Sequence, residues 1–231
     1  MVDYILIPRR SVEETLGLVG VEPTKARGLI WDEANYFARD ACRILEGYGL
    51  QEQRPEKVHL EGHLYTRLPH VGAVAASFES KEHAEAAARD ISDYWLVRDI
   101  ELSLPVPRTA IAQNVEIDLA RVEWPEGSGV EHAHSQGLRG QGVLVGVLDT
   151  GCDADHVEHL GLVRVFRYVP LSLQGFRDVR GFDPHGHGTH VCGILAGQHV
   201  GVAPEVNLWV ASIIESETMR TSLRRVLVGL D

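Results

Sequence analysis

Two side chains in this sequence can together activate a nucleophile: the carboxylate of Asp149 and the imidazole of His187. Asp149 follows Gly142-Val-Leu-Val-Gly-Val-Leu148, a short continuous apolar run. Such a run predicts a strand buried on both faces of a parallel sheet. In open α/β sheets, ligands bind at the carboxyl ends of the strands, where this run places its aspartate. His187 stands in Asp183-Pro-His-Gly-His-Gly-Thr-His-Val-Cys-Gly-Ile-Leu-Ala-Gly197, a glycine-rich turn that opens into an apolar helix. Gly186 and Gly188 let the backbone bend tightly there. A carboxylate that holds one imidazole nitrogen in its N–H tautomer leaves the other nitrogen to take a proton from a hydroxyl.

The same histidines admit a second chemistry. His185, His187 and His190 are spaced H-x-H-x-x-H, and three imidazoles suit zinc. A metallo-β-lactamase-type hydrolase uses a similar His-x-His-x-Asp-His run. Here Thr189 occupies the carboxylate position and no clear strand-end ligand set follows, so no metal and no cofactor is expected. His190 reads as a packed, hydrogen-bonded residue. Asp183, just before the turn, either lines a substrate cleft or ties the turn itself. Cys152 and Cys192 lie close in sequence to Asp149 and His187; they read as small buried apolar residues, with a redox or metal role as the alternative.

Val147-Leu-Asp-Thr-Gly151, His187-Gly-Thr-His-Val-Cys-Gly193 and Gly201-Val-Ala-Pro204 together resemble the subtilisin-like serine peptidases, or subtilases (peptidase S8). The order Asp, His, Ser is that of subtilisin itself. The resemblance implies that Asp149 is the orienting carboxylate and His187 the general base, acting on a peptide or protein substrate. The family's nucleophile sits in a Gly-Thr-Ser-Met-Ala-type segment well downstream, and nothing like it occurs before Asp231. Ser212, Ser216 and Ser222 resemble no nucleophile motif, so these residues are expected to be inactive alone. Many subtilases bind calcium in a loop before Gly-Val-Ala-Pro. Here only Gln198-His-Val200 fills that place, without a carboxylate, and Glu158 alone is a weak ligand.

The elements that position these residues begin far upstream. The first hundred residues read strand (Tyr4 to Pro8), helix (capped at Asp32, with Phe37, Ile44 and Leu45 on its face), and polar loop (Gln51 to Lys57). A hairpin turned at Pro69-His70 comes next, then a helix capped by Ser80, then a strand over Tyr94 to Leu102. That order is the split, ferredoxin-like β-α-β-β-α-β unit, with Phe37, Ile44, Ala87 and Ile91 expected in its core. It is similar at pattern level to the propeptide (inhibitor I9-like) domain of subtilases. The expected fold is therefore α/β: a ferredoxin-like α+β propeptide domain over 1–105, and a linker with a processing site over 106–123. The first part of a doubly wound parallel subtilase sheet follows over 124–231. Within it, strands are expected at Leu162 to Tyr168 and Asn207 to Ile213. A last helix is expected over Thr218 to Leu230, with Leu223, Val226 and Leu230 on its apolar face.

The totals exclude some classes. Of 231 residues, 44% are hydrophobic and 24% charged, ordinary for a soluble domain. A net charge of −11 without any Lys/Arg run argues against nucleic acid as a partner. Three scattered cysteines make no disulfide framework. No stretch reaches membrane-spanning length, and the four-residue apolar run near the N-terminus is too short for a signal peptide. The sequence as written reads as cytoplasmic, with export the family habit. The partners expected are a substrate chain, an intramolecular contact between propeptide and catalytic domain, and a chain supplying the missing half of the fold.

Overall fold

The computed structural model describes residues 1–10, 38–53, 63–103, 126–171, 176–215 and 219–231. Its elements in chain order begin with β1 (Val2–Pro8), α1 (Arg39–Gly47), β2 (Gln51–Glu52), β3 (Leu64–Leu68), β4 (Ala73–Phe78), α2 (Lys81–Asp90), β5 (Tyr94–Arg98) and β6 (Glu101–Ser103). They continue with α3 (Val130–Ser135), β7 (Leu144–Asp149), β8 (Val163–Tyr168), β9 (Arg177–Asp178), α4 (His187–Ala196), β10 (Asn207–Ser212), β11 (Arg220–Ser222) and α5 (Leu223–Leu230). They form two compact units. One comprises Met1–Leu102, Val169–Arg177 and Thr221–Asp231, the other Ser103–Tyr168 and Asp178–Arg220.

The first unit holds a five-stranded sheet in the order β2-β3-β4-β1-β5. β1 lies antiparallel to β4 and β5, and β3 lies antiparallel to β4. Side chains alternate along a strand, so Tyr4 and Leu6 share one face of β1. They pack with Val74, Ala76 and Phe78 against Leu45 of α1 and Ala84 and Ala87 of α2. Ala87 and Ile91 are buried, while Ile44 is only partly so; Leu45, one residue on, takes the core position. Asp32 and Phe37 lie outside the described residues. Cys42 is buried in this same core, and burial pushes its thiol up to about 12, which leaves it inert as a nucleophile.

The Ser80 side chain accepts a hydrogen bond from the His83 N–H at 3.2 Å and caps α2 from an extended backbone. Replacing it with alanine orphans that donor, so Ser80→Ala should cost about 1 kcal/mol. A lowered urea midpoint for the unfolding of this unit would register it.

Three local expectations need correction. Gln51 to Lys57 was expected to be loop, yet Gln51 and Glu52 form β2, which extends the sheet by pairing parallel to β3. Tyr94 to Leu102 is two strands, because its middle makes other bonds. The Asp99 N–H donates to Asp3 O, the Asp99 carboxylate accepts the Arg224 N–H, and Ile100 O accepts the Leu223 N–H. The last helix begins at Leu223 rather than Thr218, with Ser222 as its cap. Its most buried residues are Arg224, Arg225 and Val228, and Leu230 is exposed. The arginines occupy the interior because they bond to main-chain carbonyls there: Arg225 Nε to Val169 O at 2.7 Å, and Arg224 Nη2 to Leu171 O at 2.8 Å. A buried charge is tolerable on those terms.

The second unit is built on a sheet ordered β7-β10-β8-β9, in which β10 runs parallel to both β7 and β8. α4 packs on β7, and Cys192 and Ala196 join Val147, Phe166, Leu208 and Val210 in one core. The run before Asp149 is not buried on both faces as expected: β7 lies at the edge of this sheet among the described residues, and Leu144 at its start is 50% exposed. In the parallel register Leu144 pairs with Asn207 and Gly146 with Trp209, whereas Val147 pairs with Val210 and Asp149 with Ser212. The period of two thus separates a covered face, carrying Val147 and Asp149, from one carrying Leu144 and the half-exposed Trp209.

Candidate active site

Strand β7 brings Asp149 to the carboxyl edge of the sheet. Its backbone is fixed there, because Asp149 O accepts the N–H groups of Ile213 and Ile214 just past β10. The residue is only 8% exposed. Asp149 Oδ1 pairs with His187 Nδ1 at 2.7 Å and accepts the Thr150 N–H at 2.7 Å. The His187 side chain, at the first position of α4, remains 44% exposed. The strand-end carboxylate and the helix-start imidazole therefore meet, with Nδ1 engaged and Nε2 the nitrogen left for chemistry.

Gly186 and Gly188 have different jobs. Gly186 adopts φ +89° as the residue before the helix, where a side chain would be strained. At Gly188 the reason is proximity: a Cβ there would lie 2.1 Å from Gly151 O. The helix start is thus pressed against the Asp149-Thr150-Gly151 backbone, which sets the short distance between Asp149 and His187.

Asp183 ties this corner together. Its Oδ2 accepts the Thr189 N–H at 2.7 Å and the Thr189 hydroxyl at 2.8 Å. Its Oδ1 accepts the Thr150 hydroxyl at 2.9 Å and the His185 N–H at 3.1 Å. Burial pushes the Asp183 carboxyl up, but hydrogen bonds from the Thr189 and Gly186 backbone and from the Thr189 and Thr150 hydroxyls outweigh it. They hold the carboxyl below the ordinary carboxylate value. Thr150, fully buried, also accepts the Gly188 N–H at 3.0 Å.

The serines of this region have other duties. Ser212 is buried and donates to Thr150 O at 2.8 Å, and Ser222 caps α5 by accepting the Arg225 N–H at 3.4 Å. Ser216 lies outside the described residues. His134 Nε2 contacts Val202 O at 2.9 Å. Glu158 is taken up by His199, through its N–H at 2.9 Å and its ring Nδ1 at 3.0 Å, and so closes the turn that leads to Gly201. No group of three or more His, Cys, Asp or Glu side chains placed to hold a metal occurs among the described residues. A cavity of about 620 Å³ lined by His156, His159, His190 and Ile194 among others includes neither Asp149 nor His187.

Sequence reasoning missed His159. It is 1% exposed, with its Nδ1 3.6 Å from Cys152 Sγ and 3.4 Å from Asp153 O. The one signal was its presence as an extra histidine in Asp153-Ala-Asp-His-Val-Glu-His-Leu160. Cys152 and Cys192 are both fully buried, and the hydrogen bond to Cys192 together with burial pushes the Cys152 thiol up. Burial holds the His159 pKa below its ordinary value of 6.5. Below pH 6.5 the unfolded chain therefore takes up a proton that the folded chain refuses. Stability should be flat above that pH and fall as the pH drops toward the folded value. Urea midpoints measured from pH 8 to 5 should fall less in His159→Gln than in the unaltered chain.

Residues 140–224 match the family model described as the Subtilase family. Over 187 residues the chain is 49% identical to the subtilisin-like protease PopC of Myxococcus xanthus, a match covering 76% of this chain and 39% of PopC. It is 39% identical over 84 residues to an intracellular serine protease of Paenibacillus polymyxa, covering 34% of this chain and 26% of that protein. Among solved structures, fervidolysin from Fervidobacterium pennivorans, a keratinolytic enzyme related to subtilisin, shares the fold at a TM-score of 0.50 and 16% identity, over 93% of this chain and 30% of its own. The chain thus spans well under half the length of these relatives.

Proposed function

We propose that this chain, whose residues 140–224 match the Subtilase family model, serves peptide-bond hydrolysis as part of a subtilisin-like serine endopeptidase precursor. Asp149 and His187 are two members of an Asp-His-Ser triad. A serine hydroxyl attacks the peptide carbonyl, His187 takes its proton at Nε2 and hands it to the leaving amine, and Asp149 stabilises the imidazolium between the two steps. The observation that carries this reading is the 2.7 Å bond from Asp149 Oδ1 to a His187 ring that is 44% exposed. A metal-dependent hydrolase is the weaker reading, since among the described residues no three His, Cys, Asp or Glu side chains are placed together to hold a metal.

The first unit is, on the same proposal, the propeptide domain. Supporting this reading, β1, α1, β3, β4, α2 and β5 follow one another as β-α-β-β-α-β, with antiparallel neighbours β3-β4-β1-β5 and β2 added at the edge, as a ferredoxin-like unit would have. The intracellular relative from P. polymyxa supports a cytoplasmic site of action.

The test is a chimera that joins residues 1–231 to the part of PopC that follows the matched segment. Casein hydrolysis, with covalent labelling by a fluorophosphonate probe, is expected. A folded chimera that neither labels nor cleaves would overturn the proposal.

A further inference from the structure

We infer that Asp183 is a positioning residue for the Asp149–His187 pair, acting through the hydroxyl of Thr150. The inference deepens the proposed function and rests on that pair being the working one. The hydroxyl has one proton and two carboxylates to offer it to: Asp183 Oδ1 at 2.9 Å and Asp149 Oδ1 at 3.3 Å. The nearer carboxylate is within normal O–H···O range and the farther is not, so the proton goes to Asp183. The hydroxyl's lone pair meanwhile accepts the Gly188 N–H at 3.0 Å. Asp149 Oδ1 is thereby left with two N–H donors, from Thr150 and from His187, each at 2.7 Å.

The opposite oxygen of Asp183 holds the Thr189 N–H and hydroxyl, so a single carboxylate fixes the residue after Asp149 and the second residue after His187. The Thr189 hydroxyl in turn accepts the Asp153 N–H at 3.0 Å, which closes the ring of bonds between the strand end and the helix start. Asp183 touches neither Asp149 nor the reacting nitrogen. Its work is to keep the Thr150 proton off Asp149. Without it, the hydroxyl turns toward Asp149 Oδ1 and becomes a third donor on an oxygen that His187 needs.

Asp183→Asn tests this with little change of size. The amide oxygen retains the two shorter bonds from Thr189, and the amide NH₂ faces the Thr150 oxygen at the loss of the 3.1 Å bond from the His185 N–H, so the hydroxyl proton turns toward Asp149. The readout is the far-downfield His187 Nδ1–H resonance that a short imidazole–carboxylate hydrogen bond gives. In Asp183→Asn this signal should move upfield or be lost to solvent exchange. In Asp183→Asn combined with Thr150→Val, which has no hydroxyl to compete, it should return. A loss of helix packing alone would give no such recovery.

An unchanged signal in a folded Asp183→Asn chain, or a double variant that fails to recover it, overturns the inference. Neutron diffraction on the unaltered chain decides the same point without any substitution. A deuteron between Thr150 Oγ1 and Asp183 Oδ1 supports the inference, and one directed at Asp149 overturns it. These readouts do not depend on peptidase activity, so they separate a failure here from a failure of the PopC chimera.

Discussion

His187→Ala in the PopC chimera will remove casein hydrolysis by about six orders of magnitude in turnover, and Asp149→Ala by about four. Both magnitudes are those of the corresponding losses in subtilisin, transferred on the proposed function. Their inequality follows from the geometry. On the proposed function His187 moves the proton, so its removal would leave the nucleophile without a base. Asp149 touches only Nδ1 of that base. Without it the imidazole survives, but its tautomer and orientation are no longer imposed, and the imidazolium formed during turnover loses its counter-charge. The unaltered 231 residues by themselves should show no turnover and no fluorophosphonate labelling. Ser212 has its hydroxyl committed to Thr150 O in the buried interior, and Ser222 is committed to the start of α5. Rates of the three chimeras on casein, with labelling intensity as a check on the serine, decide the matter. Comparable turnover in His187→Ala and the parent would remove His187 from the mechanism.

The parts of this structure that could be read beforehand are those whose reasons are local. The apolar run before Asp149 and the small-residue helix after Gly186 carry their periods in the sequence, and Ser80 stands where a helix cap belongs. The pairing of Asp149 with His187 was legible because a strand end and a helix start in this order have few ways to meet. What stayed hidden depends on partners distant in sequence. Nothing near Arg224 and Arg225 says that the carbonyls of Val169 and Leu171 and the carboxylate of Asp99 wait for them, so the apolar side of that helix looked like the buried one. The break between β5 and β6 has the same origin, since its bonds go to residue 3 and to residues 223–224. The exposed face of β7 stayed hidden because a continuous apolar run does not say what covers each of its faces. Nothing beside His159 in the sequence marks it as interior; the packing around Cys152 does.

Gly188→Ala will strongly destabilise the second unit. At most helix positions alanine is favoured over glycine by up to about 1 kcal/mol, and local propensity alone predicts a gain here. The tertiary contact reverses the sign. The added Cβ would stand 2.1 Å from Gly151 O, 2.9 Å from Gly151 N and 3.0 Å from Gly151 C. All three are backbone atoms, so no side chain can rotate away. Gly151 cannot retreat either: a Cβ on it would meet Phe182 O at 2.1 Å, so that backbone is packed on its other side as well, and the neighbouring Cys152 N–H donates to Phe182 O at 3.0 Å. The helix start must therefore move off the strand end. That movement breaks the bond from the Gly188 N–H to Thr150 and stretches the 2.7 Å link between Asp149 and His187. Overpacking of a tight core costs about 1–3 kcal/mol when side chains can adjust. With backbone on both sides, and one buried hydrogen bond lost at about 1 kcal/mol more, the expected cost is about 3 kcal/mol or above. Urea unfolding followed by amide exchange of α4 and β7 would measure it in the second unit, with the amides of β1 and β4 as the internal reference. Protection of α4 equal to that of the parent chain, together with an unshifted His187 Nδ1–H signal, would show that the contact with Gly151 is not what sets the site's geometry.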